Sequence, residues 1–378
     1  MIFMVSLAIS DVTVNFFYGG GQVISSELYL GLNDRYSECY PINIIKKGKV
    51  INQPFNKLAL FLFKNRDLRR IISYILRSAK LVDFFSMILI RKFKPVDILI
   101  SNNDMDYILS KKLNFKNLII IKHTSLDVIT QEGQLYLKKI RFLIKKSNKY
   151  KIVVLNKKDY IDLARIFGRD RIKLIYNGIL YKDNIPLVNL SNFIKVDFTN
   201  KLIILYLGRL DESQKQISKL ILSASKIRNK DFIIIIAGTG PYKDYYVKLA
   251  ESQGLSDKII FTGFVTEDVK ISLYKIADVF VQPSQNESFG LTTLEAMHYG
   301  DILLTTKNKG SVEIINDKID GLFIKADPTD IAEKINWIAS LKESERNTLK
   351  QNAIKKSNYF NYNKMLSEYI KLIEELAN

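Results

Sequence analysis

The chain has 378 residues, 47% hydrophobic and 25% charged. These are ordinary globular proportions that exclude long disorder, collagen and coiled coil, and at roughly 100–200 residues per domain the length suggests two domains. Lysine and arginine number 57 against 39 acidic residues, a formal charge of +18; this points to nucleic acid, an anionic membrane surface or an acidic substrate, with a lysine-rich proteome as the bland alternative.

In chain order, residues 1–9 are apolar but lack the basic flank and small-residue cleavage site of a signal peptide, and they read as a buried first strand over 2–8. No other charge-free apolar run reaches the ~18–20 residues of a spanning helix. A cytosolic protein, able to sit on the inner face of a membrane without crossing it, is expected. A long loop over 10–18 leads to Gly19-Gly20-Gly21 and a helix over 22–32. Leu68, Ile71, Ile72, Ile75, Leu76 and Ala79 then share one helix face.

Further strands are predicted at 96–101, 118–122, 152–155 and 173–176, and a second series at 202–207, 232–237, 259–264, 279–281, 302–305 and 322–324, before a last helix over 362–376. Continuous apolar runs of this length suit parallel strands buried on both faces, and their alternation with helices implies α/β doubly wound sheets. Residues 181–200, with Pro186 and several asparagines, read as a linker. The expected organisation is a Rossmann-like domain over 1–185, a linker over 186–199, a second Rossmann-like domain over 200–355, and a C-terminal helix over 356–378 able to pack back on the first domain. Ligands of such sheets lie beyond the carboxyl ends of the strands, and two facing sheets would enclose an interdomain cleft.

The richest stretch runs from Val281 to Met297. A strand ends near Pro283, Glu287 and Ser288-Phe289 follow in a loop, and Gly290-Leu291 opens a helix carrying Glu295. A helix amino terminus offers unpaired N–H groups and a positive dipole end, which together hold a phosphate, and Gly290 lets backbone come close to it. Glu295, about one turn in, can accept hydrogen bonds from a ribose diol; it is also an ordinary first-turn acid favoured by the dipole. Arg209 and Lys215 follow a strand at its carboxyl end, where fixed cations can hold an anionic ligand; each is otherwise a solvated loop cation. The glycine triplet is, by itself, a flexible turn. One cysteine (Cys39) and two histidines (His123, His298) exclude a disulfide framework, a multi-cysteine zinc site and a histidine-rich metal centre.

The two glutamates spaced Glu287-x7-Glu295, in a Glu-x-Phe-Gly-Leu context ending Glu-Ala-Met, resemble the signature of the retaining glycosyltransferase family 4. Gly208-Arg209-Leu210 with Lys215, Ala237-Gly-Thr-Gly240-Pro241, Phe261-Thr-Gly263-Phe-Val265, and Gly310, Glu313 and Gly321 resemble further family elements in the same order. The match is dense over about 200–325 and thins earlier to Gly19-Gly20-Gly21, His123 and Asn177-Gly178. Lys309, Gln216, Ser288 and Asp301-Ile302 depart from the usual pattern. The resemblance implies a GT-B fold of two facing Rossmann-like domains. It also implies a retaining, metal-independent transferase with no cofactor, moving a sugar from a nucleotide-sugar, UDP-linked, to a glycan or glycolipid acceptor. It assigns His123, Arg209, Lys215 and Glu287 to catalysis, and Gly20, Gly21, Gly208, Gly240, Ser288, Phe289, Gly290, Leu291 and Glu295 to the donor. A nucleotide-sugar epimerase, or another non-transferase enzyme on the same fold, is the competing expectation.

The basic charge is concentrated early. Lys and Arg far outnumber Asp over 57–94, where Arg69, Arg70, Arg77 and Lys80 avoid the apolar helix face. Lys138, Lys139, Arg141, Lys145, Lys146 and Lys149 form a second cluster, expected on another helix. Basic amphipathic helices lie on anionic lipid at about 1 kcal/mol per cation, which suits a lipid-linked, lipopolysaccharide or capsule acceptor of the cell envelope; solvated helix faces are the alternative. No aromatic-rich RNA-binding motif is present, and nucleic acid is not an expected partner.

Overall fold

The computed structural model describes residues 6–10, 24, 27, 28, 31, 32, 35, 36, 38–42, 45, 46, 49, 50, 95–101, 114–123, 127, 130–194, 196–229 and 231–378. The chain divides into two compact units, Met1–Ile175 with Asn363–Asn378, and Tyr176–Tyr362. Gly19-Gly20-Gly21, the helix face expected over 68–79 and the basic stretch 57–94 that surrounds it lie outside the described residues.

In the first unit the strands are β1 (Ser6–Ser10), β2 (Glu38–Ile42), the short antiparallel pair β3 (Ile45–Lys46) and β4 (Lys49–Val50), then β5 (Val96–Ser101), β6 (Phe115–Lys122), β7 (Lys149–Val154) and β8 (Ile172–Leu174). All but the short pair form one sheet in the order β2-β1-β5-β6-β7-β8, with every neighbouring pair parallel. β2 was not foreseen: its sequence contains Pro41, which cannot donate to a ladder and is confined to edge strands, and the edge is where β2 lies. β6 is buried at every position from Asn117 to Lys122, as strands covered on both faces are.

Two helices of this unit show why the chain turns where it does. α1 (Gln131–Ile144) starts at Thr130, whose hydroxyl accepts from the Gly133 N–H, and buries Tyr136, Leu137, Ile140 and Leu143 along one face. α2 (Lys157–Phe167) starts at Asn156, whose side chain accepts from the Asp159 N–H; both are N-cap residues of the favoured kind. The basic cluster expected on one helix is split: Lys138, Lys139 and Arg141 ride on α1, Lys145 and Lys146 follow its end, and Lys149 opens β7. Between the sheet and α2, Lys122 Nζ donates to Asp159 Oδ2 at 2.7 Å, with side chains 0% and 1% exposed.

The second unit holds β9 (Leu202–Leu207), β10 (Phe232–Ala237), β11 (Ile259–Gly263), β12 (Val279–Gln282), β13 (Ile302–Thr306) and β14 (Leu322–Ile324). They form a parallel sheet in the order β11-β10-β9-β12-β13-β14. Its helices are α3 (Leu190–Ile194), α4 (Glu212–Lys215), α5 (Ile217–Ser223), α6 (Lys243–Ser252), α7 (Glu267–Ile276), α8 (Leu291–Tyr299), α9 (Ser311–Ile314), α10 (Pro328–Ser340) and α11 (Glu343–Ser357). β9 and β10 are buried at every position, the outcome their unbroken apolar runs require. The expected linker lies within this unit and contains α3, and the division of the chain comes earlier than residue 185, at Ile175/Tyr176. The last helix, α12 (Tyr362–Ala377), counts from Asn363 with the first unit. There it buries Met365, Tyr369, Leu372, Ile373 and Leu376, and the Asn117 side chain donates to the Leu376 carbonyl at 2.9 Å.

Candidate active site

In the second sheet the strand order reverses between β9 and β12, which are neighbours. In open parallel sheets ligands lie beyond the carboxyl ends at such a reversal. Here those ends carry Gly208-Arg209 on one strand and the loop with Glu287 and Gly290 on the other.

The loops after β9, β12 and β13 are tied together. The Gln285 N–H donates to the Gln214 carbonyl at 2.9 Å, and the Gly310 N–H donates to the Glu287 carbonyl, also at 2.9 Å. Asn308 Nδ2 reaches the Ser284 carbonyl at 3.3 Å. A Cβ on Gly310 would lie 2.5 Å from the Phe289 carbonyl oxygen, so only glycine permits that crossing.

Lys215, the last residue of α4, donates from Nζ to Glu287 Oε1, and Gln282 Nε2 donates to the same oxygen at 2.8 Å. Arg209 is held toward Gln214 Oε1 at 2.9 Å and Asp211 Oδ2 at 3.2 Å. Gly290 is the N-cap of α8 with φ +102°, and the helix has no side-chain cap and no acid in its first turn. The first bond of the helix runs from the Leu294 N–H to the Gly290 carbonyl at 3.0 Å. The amides of Leu291, Thr292 and Thr293 therefore have no acceptor inside the helix. Arg209 and Lys215, each paired with a carboxylate, and an uncapped helix start thus lie at one end of one sheet, and a helix start of this kind favours an anion.

Glu295 is held on both carboxylate oxygens. Its Oε1 accepts from Lys270 Nζ at 2.7 Å and its Oε2 from the Tyr274 hydroxyl at 2.9 Å. Burial works against the Lys270 ammonium, but the carboxylates of Glu295 and Glu267 outweigh it and hold its pKa above the usual value. Burial, then Glu295, pushes the Tyr274 phenol well up, so it remains a donor.

The other expected residues fall in several places. The Phe289 ring is buried between Tyr176 and Phe360, at centroid distances of 5.9 and 5.6 Å, so its side chain packs the loop. Ser288 is also buried. Gly208 and Gly240 sit where loops cross: a Cβ on Gly240 would lie 2.2 Å from the Leu210 carbonyl oxygen. His123 belongs to the first unit and directly follows β6; burial pushes its imidazole down to about 4, which keeps it neutral. Gly20 and Gly21 lie outside the described residues. Lys270, Tyr274 and Gln282 were not singled out from sequence; Gln282 lies five residues before its glutamate, whereas Lys270 and Tyr274 reach theirs from another helix, where no local spacing announces them. Among the described residues, no group of three or more His, Cys, Asp or Glu is placed to hold a metal ion, and no helix is long and apolar enough to cross a membrane.

The fold is GT-B, two α/β units each built on a parallel sheet. Sucrose-phosphate synthase of Thermosynechococcus elongatus matches with a TM-score of 0.71 over 99% of both chains at 16% identity. Anabaena HepE in complex with UDP and glucose matches with a TM-score of 0.69, over 98% of this chain and 100% of that one, at 17% identity. Residues 191–356 match the family model of the glycosyl transferases group 1. Among relatives, the glycosyltransferase MJ1607 of Methanocaldococcus jannaschii is 32% identical over 238 residues, 60% of each protein. The serotype-specific mannosyltransferase WbdA of Escherichia coli is 38% identical over 117 residues, 31% of this chain and 14% of WbdA. The chain thus spans 60% of the first relative and a small part of the second.

Proposed function

We propose that the chain is a retaining glycosyltransferase that moves a sugar from a UDP-sugar to a hydroxyl of a growing cell-envelope glycan. The observation that carries this reading is the uncapped start of α8 at the strand reversal, flanked by Arg209 and Lys215. A diphosphate fits that end of the helix. Glu295, one turn further on, is placed to accept from the ribose, and Glu287 from the sugar. The match of residues 191–356 to group 1 glycosyl transferases supports the same chemistry.

In the proposed reaction the bond from sugar C1 to the β-phosphate oxygen breaks, leaving its electron pair on the diphosphate. The acceptor oxygen bonds C1 on the same face, and its proton passes to the departing phosphate oxygen. Arg209, Lys215 and the amides of Gly290 and Leu291 meet the developing charge in place of a divalent cation. No side chain forms a covalent intermediate in this scheme. The exposed Lys138 and Arg141 on α1 support an anionic glycolipid as acceptor.

A thermal-shift screen of nucleotides and nucleotide-sugars tests the donor. UDP at ~100 times its Kd stabilises by about 2.7 kcal/mol, and Glu295→Ala loses both that shift and transfer while its far-UV circular dichroism stays native. Absence of stabilisation by any nucleoside diphosphate, or wild-type transfer by Glu295→Ala, overturns the proposal.

A further inference from the structure

We infer that Lys270 and Tyr274 are positioning residues that set the Glu295 carboxylate for a vicinal diol, making nucleotide binding selective for ribose over deoxyribose. The inference rests on the reading of Glu295 as the ribose acceptor and adds residues that no spacing assigned.

A carboxylate accepts along about four lone-pair directions, two on each oxygen. In this protein each oxygen already receives one donor, Lys270 Nζ at 2.7 Å on Oε1 and the Tyr274 hydroxyl at 2.9 Å on Oε2. One direction is left on each oxygen, the number two adjacent hydroxyls need. An unheld glutamate would have to be ordered at the moment of binding, which costs side-chain entropy.

The two donors are themselves fixed. Lys270 also contacts Glu267 Oε1 at 3.2 Å. Tyr274 is fully buried and stacks on Tyr299, with centroids 5.7 Å apart and planes 15° apart. Both come from α7 and reach across to α8, so the carboxylate is held from outside its own helix.

The test compares the Kd of UDP with that of 2′-deoxy-UDP for the full chain and for Lys270→Met, Lys270→Arg and Tyr274→Phe. The wild type prefers UDP by on the order of tenfold, the scale of a hydrogen bond to a charged group. Lys270→Met and Tyr274→Phe weaken UDP more than 2′-deoxy-UDP, which keeps only the 3′-hydroxyl, and bring the preference toward one; Lys270→Arg restores it. A purely structural clamp between helices would weaken both nucleotides alike, and that result, or an undiminished preference in the variants, overturns the inference. No preference in the wild type sinks the ribose role of Glu295 instead. Tyr274→Phe removes a single oxygen and keeps the test decisive if Lys270→Met does not fold.

Discussion

Lys215 and Glu287, 72 residues apart, form an ion pair at the strand reversal of the second sheet. The cation sits after β9 and the acid after β12, so each fixes the other where a diphosphate and its sugar would lie. Both side chains are 17% exposed, which leaves them reachable by a ligand.

Lys215→Ala removes a cation from the leaving group and is expected to lower the transfer rate by on the order of 10²–10³, the usual loss when one transition-state donor is deleted. Glu287 keeps its bond from Gln282 at 2.8 Å, so the fold survives. Initial rates with saturating donor, beside a melting curve, check this; a rate within threefold of wild type would remove Lys215 from the reaction.

Gly238 adopts φ +140°, and a Cβ there would lie 1.8 Å from the Gly208 carbonyl oxygen. Gly238→Ala should push the Gly208-Arg209 loop out of place, lowering both stability and nucleotide affinity. Gly254→Ala is the matched control, since φ is +65° but nothing lies within 4 Å of the new Cβ. It should cost only about 1–2 kcal/mol and leave affinity intact. Equal effects of the two changes on affinity would contradict the account.

Asp301 is fully buried, and neither carboxylate oxygen has a hydrogen-bond partner. Burial pushes its pKa well above the ordinary 3.8; Lys350 opposes this and Asp278 adds to it. A carboxyl whose folded value is raised contributes full stability below the unfolded value and loses it as pH rises toward the folded one, by at most about 1.4 kcal/mol per pH unit. Asp301→Asn, which cannot ionise, should therefore gain on the wild type steadily from about pH 4 upward. Parallel melting temperatures across that range would show that Asp301 does not titrate in this way.

Much of the second sheet was legible because Leu202–Leu207 and Phe232–Ala237 are unbroken apolar runs rich in β-branched residues, as strands covered on both faces are. The expectation of an anion site could be formed because Gly290, Glu287 and Glu295 lie within one short segment and a helix start is a local property. Partners supplied by the fold were not legible. Lys270 and Tyr274 meet Glu295 from another helix, and nothing in the run ending at Lys122 marks its buried partner Asp159. The chain divides at Ile175/Tyr176 rather than near residue 185, and the Tyr176 hydroxyl donates to Glu313 Oε2 at 2.6 Å within the second unit, a bond that no run of polar residues marks.

The Lys122–Asp159 couple also bears on how this sequence can drift. Losing either charge alone strands the other in the interior at about 3–5 kcal/mol, a large part of a domain's stability, while a matched apolar pair is close to neutral. The path from one state to the other crosses a deep fitness valley, so descendants should inherit these two positions together or exchange them together.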